Sequence, residues 1–209
     1  MDAENNVGRV VLTLESGARF YLDISRLQGD PAAGLEQALR ADLARRDFTA
    51  NALAAPLDAL DGDISAALVD TCGGRADIEA RVLRAVSERT FSDDPVRLLR
   101  GVRFMAGLDF RMDPGTEALA RRDAPLLARA TPERARDEFL RTLALPFADR
   151  HLRLMDSLGI LDVLLPELGA GRGCSQPKEH HWDVFNHSIE AVAAVEGVLR
   201  QRADAYVPA

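Results

Sequence analysis

Phe91-Ser92-Asp93-Asp94-Pro95-Val96-Arg97-Leu98-Leu99-Arg100-Gly101-Val102-Arg103-Phe104 marks the point where the chain turns helical. Val96, Leu99, Val102, Phe104 and Met105 recur at helical spacing, so the stretch predicts an amphipathic helix ending near Gly107. Pro95 suits its first turn, and Asp94 and Arg97, three residues apart, are expected to project from one helical face. A carboxylate and a guanidinium held so can offer an acceptor and donors to the edge of a nucleobase. The same residues also fit a plain helix cap in which Arg97 pairs with Asp94.

Downstream the helical pattern continues. Thr131-Pro132-Glu133-Arg134 reads as a helix start, with Phe139, Leu140 and Leu143 as its buried face. Shorter helices are predicted near 149–158 and 160–167, a linker over Gly169–Pro177, and a last helix from Val184 to Arg202. Upstream the period changes. Arg9–Leu14 and Arg19–Ile24 flank a Ser16-Gly17 turn and predict a β-hairpin over 8–26. Leu35–Arg46 has helical character, with Leu35, Ala38, Leu39 and Leu43 on one face, and a strand is predicted near Ile64–Asp70. Together these elements imply an α+β start followed by an all-α body.

Bulk composition narrows the classes. The 209 residues allow one or two domains, and 47% hydrophobic with 28% charged residues is ordinary for a globular chain. No apolar run approaches the roughly 20 residues that span a bilayer, and Met1–Arg9 lacks the basic-then-apolar layout of a secretory signal. Cys72 and Cys174 stand apart, outside any CxxC or Cys/His spacing. A cytoplasmic location is therefore expected, with no membrane partner. The formal charge of −7 speaks against unspecific nucleic-acid binding, although nearly all cations are arginine, the side chain suited to bidentate phosphate and base contacts.

Two further clusters carry chemical groups. Asp42-Leu43-Ala44-Arg45-Arg46-Asp47-Phe48-Thr49-Ala50-Asn51-Ala52-Leu53 supplies donors for a triphosphate and acceptors for a ribose, and equally fits a solvated helix end with a Thr/Asn turn. Asp70-Thr71-Cys72-Gly73-Gly74-Arg75-Ala76-Asp77-Ile78 contains paired glycines that suit a hinge, a phosphate approach or a simple loop.

In order and content the three clusters resemble the class II tRNA nucleotidyltransferase and poly(A) polymerase family, whose members carry DLxRRDFTxNALA, D-x-x-GG-x-x-D[LI] followed by LR, and [ED]DPxRxLRxxRF. All three occur here across 42–104, with Asp93 where many tRNA-directed members have Glu. The segment Thr131–Pro166, with PERxxxEF and a Leu-Leu-Pro-Glu-Leu run, resembles the family's RNA-facing helical body. The resemblance implies template-independent nucleotide addition to RNA 3′ ends, most naturally tRNA, using ATP and CTP with Mg²⁺. It implies that Arg46, Asp47 and Asn51 contact the ribose and triphosphate, and that Gly73 and Gly74 form a hinge. Asp94 and Arg97 would select the base, and Arg100 and Arg103 would line the same pocket or contact phosphate.

The family's Gly-rich loop and metal-binding Asp-x-Asp strand have no counterpart in this sequence. Asp61-Gly62-Asp63 has the spacing but follows the first motif, and Asp23 alone is a candidate for a third strand carboxylate, or else a surface residue. Glu179–Ser188 resembles the opening of an HD phosphohydrolase domain, in which His187 would be a first metal ligand lacking its partners. The expectation is a partial head over 1–84, a helical neck and body over 85–168, and a linker with the first helix of an HD-like domain over 169–209. Such a chain would select nucleotide and bind RNA without catalysing addition by itself. A non-catalytic RNA-binding module and a phosphohydrolase fragment are the competing classes, and nothing in the sequence sets the oligomeric state.

Overall fold

A computed structural model describes residues 7–28, 30, 32, 34–175 and 181–205. They form two compact units, Met1–Arg45 and Arg46–Ala209.

The smaller unit holds β1 (Val7–Thr13) and β2 (Arg19–Ser25), paired antiparallel with Val10 opposite Leu22 and Leu12 opposite Phe20, and then α1 (Leu35–Leu43). Gly17, at a φ of 83°, makes the turn that joins the strands. Alternation separates the hairpin faces: Val10, Leu12, Phe20 and Leu22 share one, while the Arg9–Asp23 pair lies on the other. On α1, Ala38 and Leu43 are buried as expected, but Leu35 is 77% exposed, because the buried face runs through Asp42 instead. The Asp42 carboxylate accepts the Gln28 N–H at 3.1 Å, which compensates for its burial.

The larger unit begins with short pieces: a 3-10 turn at Thr49–Asn51, β3 (Leu53–Ala54), a second 3-10 turn at Leu57–Asp61, β4 (Val69–Asp70), α2 (Gly74–Glu79) and β5 (Val82–Leu83). The strand predicted over Ile64–Asp70 shrinks to the two residues of β4, which pair antiparallel with β3, and the residues before them turn through i→i+3 bonds such as Ala67 N–H to the Ile64 carbonyl. Thereafter the unit is helical: α3 (Thr90–Asp93), α4 (Arg97–Leu108), α5 (Pro114–Asp123), α6 (Pro132–Leu143), α7 (Ala148–Ser157), α8 (Leu161–Leu164), α9 (Pro166–Gly169) and α10 (Val184–Ala205). A further strand, β6 (Arg111–Met112), pairs parallel with β5. Asp113 accepts the Thr116 N–H ahead of Pro114. Thr131 takes the N-cap position of α6 as expected, although its side chain makes no cap hydrogen bond there.

One apolar core joins these pieces. Phe48, Phe91, Leu98, Leu99 and Val102 meet Leu152, Met155 and Ile160, and Phe185 and Ile189 of α10 belong to the same cluster. The closing helix thus docks on the body. The segment 169–175, expected as an open linker, is a packed turn: Phe185 N–H donates to the Gly171 carbonyl at 3.3 Å and Val184 N–H to the Cys174 carbonyl at 3.1 Å. A Cβ on buried Gly171 would lie 3.0 Å from Val184, so the turn needs glycine there. The rest of the expected linker, 176–177, lies outside the described residues.

Helix α6 departs from its apolar pattern. Its buried residues are Ala135, Glu138 and Thr142, Phe139 and Leu143 are only partly covered, and Leu140 is 54% exposed. The face turned inward carries a carboxylate because the facing helix, α4, presents arginines.

Candidate nucleotide site

Phe48 organises the site. It is 0% exposed and lies edge-on to Phe104 with ring centres 5.9 Å apart, and 6.2 Å from the ring of Phe91. Gly101, on the inward face of α4, leaves room for it: a Cβ there would come within 3.1 Å of the ring. The first motif is thereby clamped to the third, about 50 residues away in sequence.

Polar contacts follow the same path. Asp47, only 6% exposed, accepts the Phe48 N–H at 2.9 Å and the Asn51 amide at 3.3 Å on Oδ1, while Oδ2 takes the Arg100 Nε at 2.8 Å. Arg103 Nε donates to Glu138 Oε2 at 2.5 Å, and the other Glu138 oxygen lies 3.7 Å from Arg100. Both guanidiniums lie over the Phe104 ring, at 5.4 and 4.5 Å. Asp47, Arg100, Glu138 and Arg103 thus form one alternating network in which each half-buried charge has an opposite neighbour, the condition for burying charge at tolerable cost.

Of the residues the sequence singled out, Asp47, Asn51, Arg100 and Arg103 come together here, with Asp47 and Arg100 facing each other. Arg46 is exposed beside them. Asp94 sits just before α4, not on it. Its φ of −148° and ψ of 97° are extended, and its carbonyl accepts the Arg97 N–H at 3.1 Å. The expected shared helical face is therefore replaced by a step from the end of α3 into the first turn of α4. Arg97 Nη1 donates to the Thr90 carbonyl at 3.3 Å. The Asp94 carboxylate is engaged from α6: Arg134 Nη1 donates to Oδ1 at 3.2 Å and Nη2 to Oδ2 at 2.7 Å.

Arg134 and Glu138 were not singled out as site residues. Both belong to the PERxxxEF segment read as RNA-facing, yet Arg134 contacts Asp94 ahead of α4 and Glu138 contacts Arg100 and Arg103 on it. Their i, i+4 spacing, which places two side chains on one helical face, was the signal available.

The second motif closes on the first. Gly73, at a φ of 78°, starts α2 in the left-handed region, and Gly74 lies so close to the Thr49 carbonyl that a Cβ would come within 2.2 Å. Thr49 Oγ1 donates to Asp77 Oδ2 at 2.7 Å, and Arg84 bridges Asp77 and Asp113 at 3.1 and 2.6 Å.

Asp70 caps α2. Its carboxylate accepts the N–H groups of Cys72, Gly73, Gly74 and Arg75 at 2.8–3.2 Å. Desolvation raises its pKa, but these donors together outweigh it and hold the carboxyl below its ordinary value. A depressed folded pKa means the contribution is present above the ordinary Asp value, about 3.9, and is lost as pH falls through the folded value. Asp70→Ala should cost about 1–2 kcal/mol near neutrality, and the difference from wild type in urea midpoint should shrink at acid pH. A gap that stays constant down to pH 2 would remove Asp70 from that role.

Asp23 lies in the smaller unit, where Arg9 donates to both of its oxygens at 2.6 and 2.8 Å; that hydrogen bonding, against some desolvation, lowers its pKa. Among the described residues no group of three or more His, Cys, Asp or Glu side chains could hold a metal ion. A carboxylate saturated by a guanidinium is a poor Mg²⁺ ligand, so the described residues do not fit the family's metal pair. Among the described residues no such ligand set surrounds His187, which is part-buried on α10. No helix among the described residues is long and apolar enough to cross a membrane.

Residues 17–84 match the family described as poly A polymerase head domain, and 109–171 match the probable RNA and SrmB-binding site of polymerase A. An A-adding tRNA nucleotidyltransferase of Deinococcus radiodurans is 40% identical over 94% of this chain and 46% of its own length. A CC-adding tRNA nucleotidyltransferase of Geobacter sulfurreducens is 42% identical over 78% of this chain and 34% of its own length. The chain therefore spans about half, or less, of the curated relatives it matches. A solved CCA-adding enzyme with ATP superimposes with a TM-score of 0.63 at 33% identity, covering 76% of this chain and 36% of that one. With its three motifs folded into one site and both halves matched, the chain belongs to the class II tRNA nucleotidyltransferase and poly(A) polymerase family.

Proposed function

We propose that this chain carries the nucleotide-selecting and RNA-binding parts of a template-independent nucleotidyltransferase that adds to tRNA 3′ ends from ATP and CTP in the cytoplasm. In this reading residues 1–84 belong to the head, 85–168 to the neck and body, and 169–209 to a connecting turn and docked helix. The observation that carries it is the Arg100–Asp47 pair, which joins the first motif to the base-selecting turn of the third. Arg46 and Asn51 on the first motif then face the triphosphate and ribose, with Asp94 and Arg97 at the base.

The selection follows from hydrogen-bond polarity. Adenine and cytosine each present an amino donor (N6 or N4) where guanine and uracil present a carbonyl acceptor. A carboxylate such as Asp94 accepts from the amino group and repels the carbonyl, while Arg97 donates to the adjacent ring nitrogen.

Calorimetric titration with the four nucleoside triphosphates tests this. ATP and CTP should bind about 10–100-fold more tightly than GTP and UTP, the range of about 1–3 kcal/mol for a bidentate base contact. Asp94→Ala or Arg97→Ala should bring the ratio close to unity. Equal binding of all four by the unmodified chain would overturn the assignment.

A further inference from the structure

The carboxylate that selects the base is itself held by a fork from another helix. Arg134, on the first turn of α6, places one N–H on each oxygen of Asp94, at 3.2 and 2.7 Å, across 40 residues of sequence. Asp94 Oδ1 also accepts the Val96 N–H at 3.3 Å. Resting on the base-selecting reading of Asp94 and Arg97, we propose that Arg134 is a specificity-positioning residue: it fixes the direction and remaining acceptor capacity of the Asp94 carboxylate, and so sets discrimination between amino-bearing and keto-bearing bases.

A carboxylate has about four lone-pair positions. Arg134 takes one on each oxygen and Val96 takes a second on Oδ1, which leaves one acceptor position, on Oδ2. One acceptor matches one amino hydrogen of adenine or cytosine. The terminal torsion of an aspartate is broad and roughly two-fold, so an Asp94 held only by the Val96 N–H would be loosely directed. A planar guanidinium imposes one direction, because its two parallel N–H groups match the two oxygens.

The position of α6 explains why the fork arrives correctly aimed. One turn beyond Arg134, Glu138 is fixed to Arg103 and close to Arg100. The two ends of one α6 turn thus grip the approach to α4 and its second turn, and Arg134 has little freedom to shift along the groove.

Arg134→Lys and Arg134→Gln separate this role from simple stabilisation. Lysine keeps a charge but loses the fork; glutamine loses both. The Arg134 side chain is 55% exposed, so both variants should fold. Each is titrated with ATP, CTP, GTP and UTP, with the thermal midpoint recorded alongside. The expected result is a fall of at least tenfold in the ATP-to-GTP and CTP-to-UTP affinity ratios in both variants, with GTP and UTP binding no more weakly than before. Equal weakening of all four nucleotides with ratios unchanged would reduce Arg134 to a structural brace and overturn the proposal. Absence of any preference in the unmodified chain would instead bring down the base-selecting reading itself, and this inference with it.

Discussion

Replacing Phe48 with alanine is expected to lower the unfolding free energy of the larger unit by about 3–5 kcal/mol, the usual cost of emptying an aromatic-sized space in a core. Phe48 has no exposed surface, and it touches the Phe91 and Phe104 rings and the bare backbone of Gly101. The helix cannot close the gap freely, because Leu98, Leu99 and Val102 of α4 are themselves buried in the same core. Urea denaturation followed by circular dichroism would measure the loss as a shift in midpoint at constant slope. A shift equivalent to less than about 1 kcal/mol would mean that the site collapses freely, and that the first and third motifs are not joined as described. Nucleotide affinity should fall alongside, since Asp47 and Asn51 are carried on the same turn.

Gly74→Ala should be comparably severe for a different reason. The added Cβ would lie 2.2 Å from the Thr49 carbonyl oxygen and 2.9 Å from its carbon, and both are backbone atoms that no rotamer change can move. Relief requires α2 to separate from the RRDFT turn, breaking the Thr49–Asp77 hydrogen bond. Overpacking of this kind costs about 1–3 kcal/mol or more, and the backbone contact places this case at the upper end. Gly73→Ala makes the contrast. Nothing lies near its Cβ, and the penalty is only the left-handed conformation at a φ of 78°, about 1–2 kcal/mol. Thermal melts of both variants would rank them; a Gly73 variant less stable than the Gly74 variant would contradict the close approach. The pair also bears on the hinge reading. Gly73 supplies the conformation a hinge needs, while Gly74 is packed against the first motif.

Much of the site was legible because its residues lie close together in sequence. The motif order, the hairpin and most helices follow from local spacing, turn residues and caps, which act over a few residues. Errors arose where the deciding neighbour was distant. Leu140 sits on the apolar stripe of α6, yet that helix turns Glu138 inward because Arg100 and Arg103 wait on α4. Asp94 reads as sharing a helical face with Arg97 three residues on, yet it lies in extended backbone before α4 and its carboxylate takes both N–H groups of an arginine from α6. The closing stretch reads as a linker and the first helix of an HD-like domain, and nothing local to it tells that Phe185 and Ile189 pack in the body core.

By itself, then, the sequence determined the family, the order of elements and the identity of the groups that can meet a nucleotide, since these rest on local periodicity and on motifs within 42–104. Only the tertiary structure decided which charges face one another. Ion-pair partners are chosen by proximity across helices, and burial makes an unmatched charge too costly to leave. That selection, between residues 40 or more positions apart, set Arg134 on Asp94 and Arg100 on Asp47.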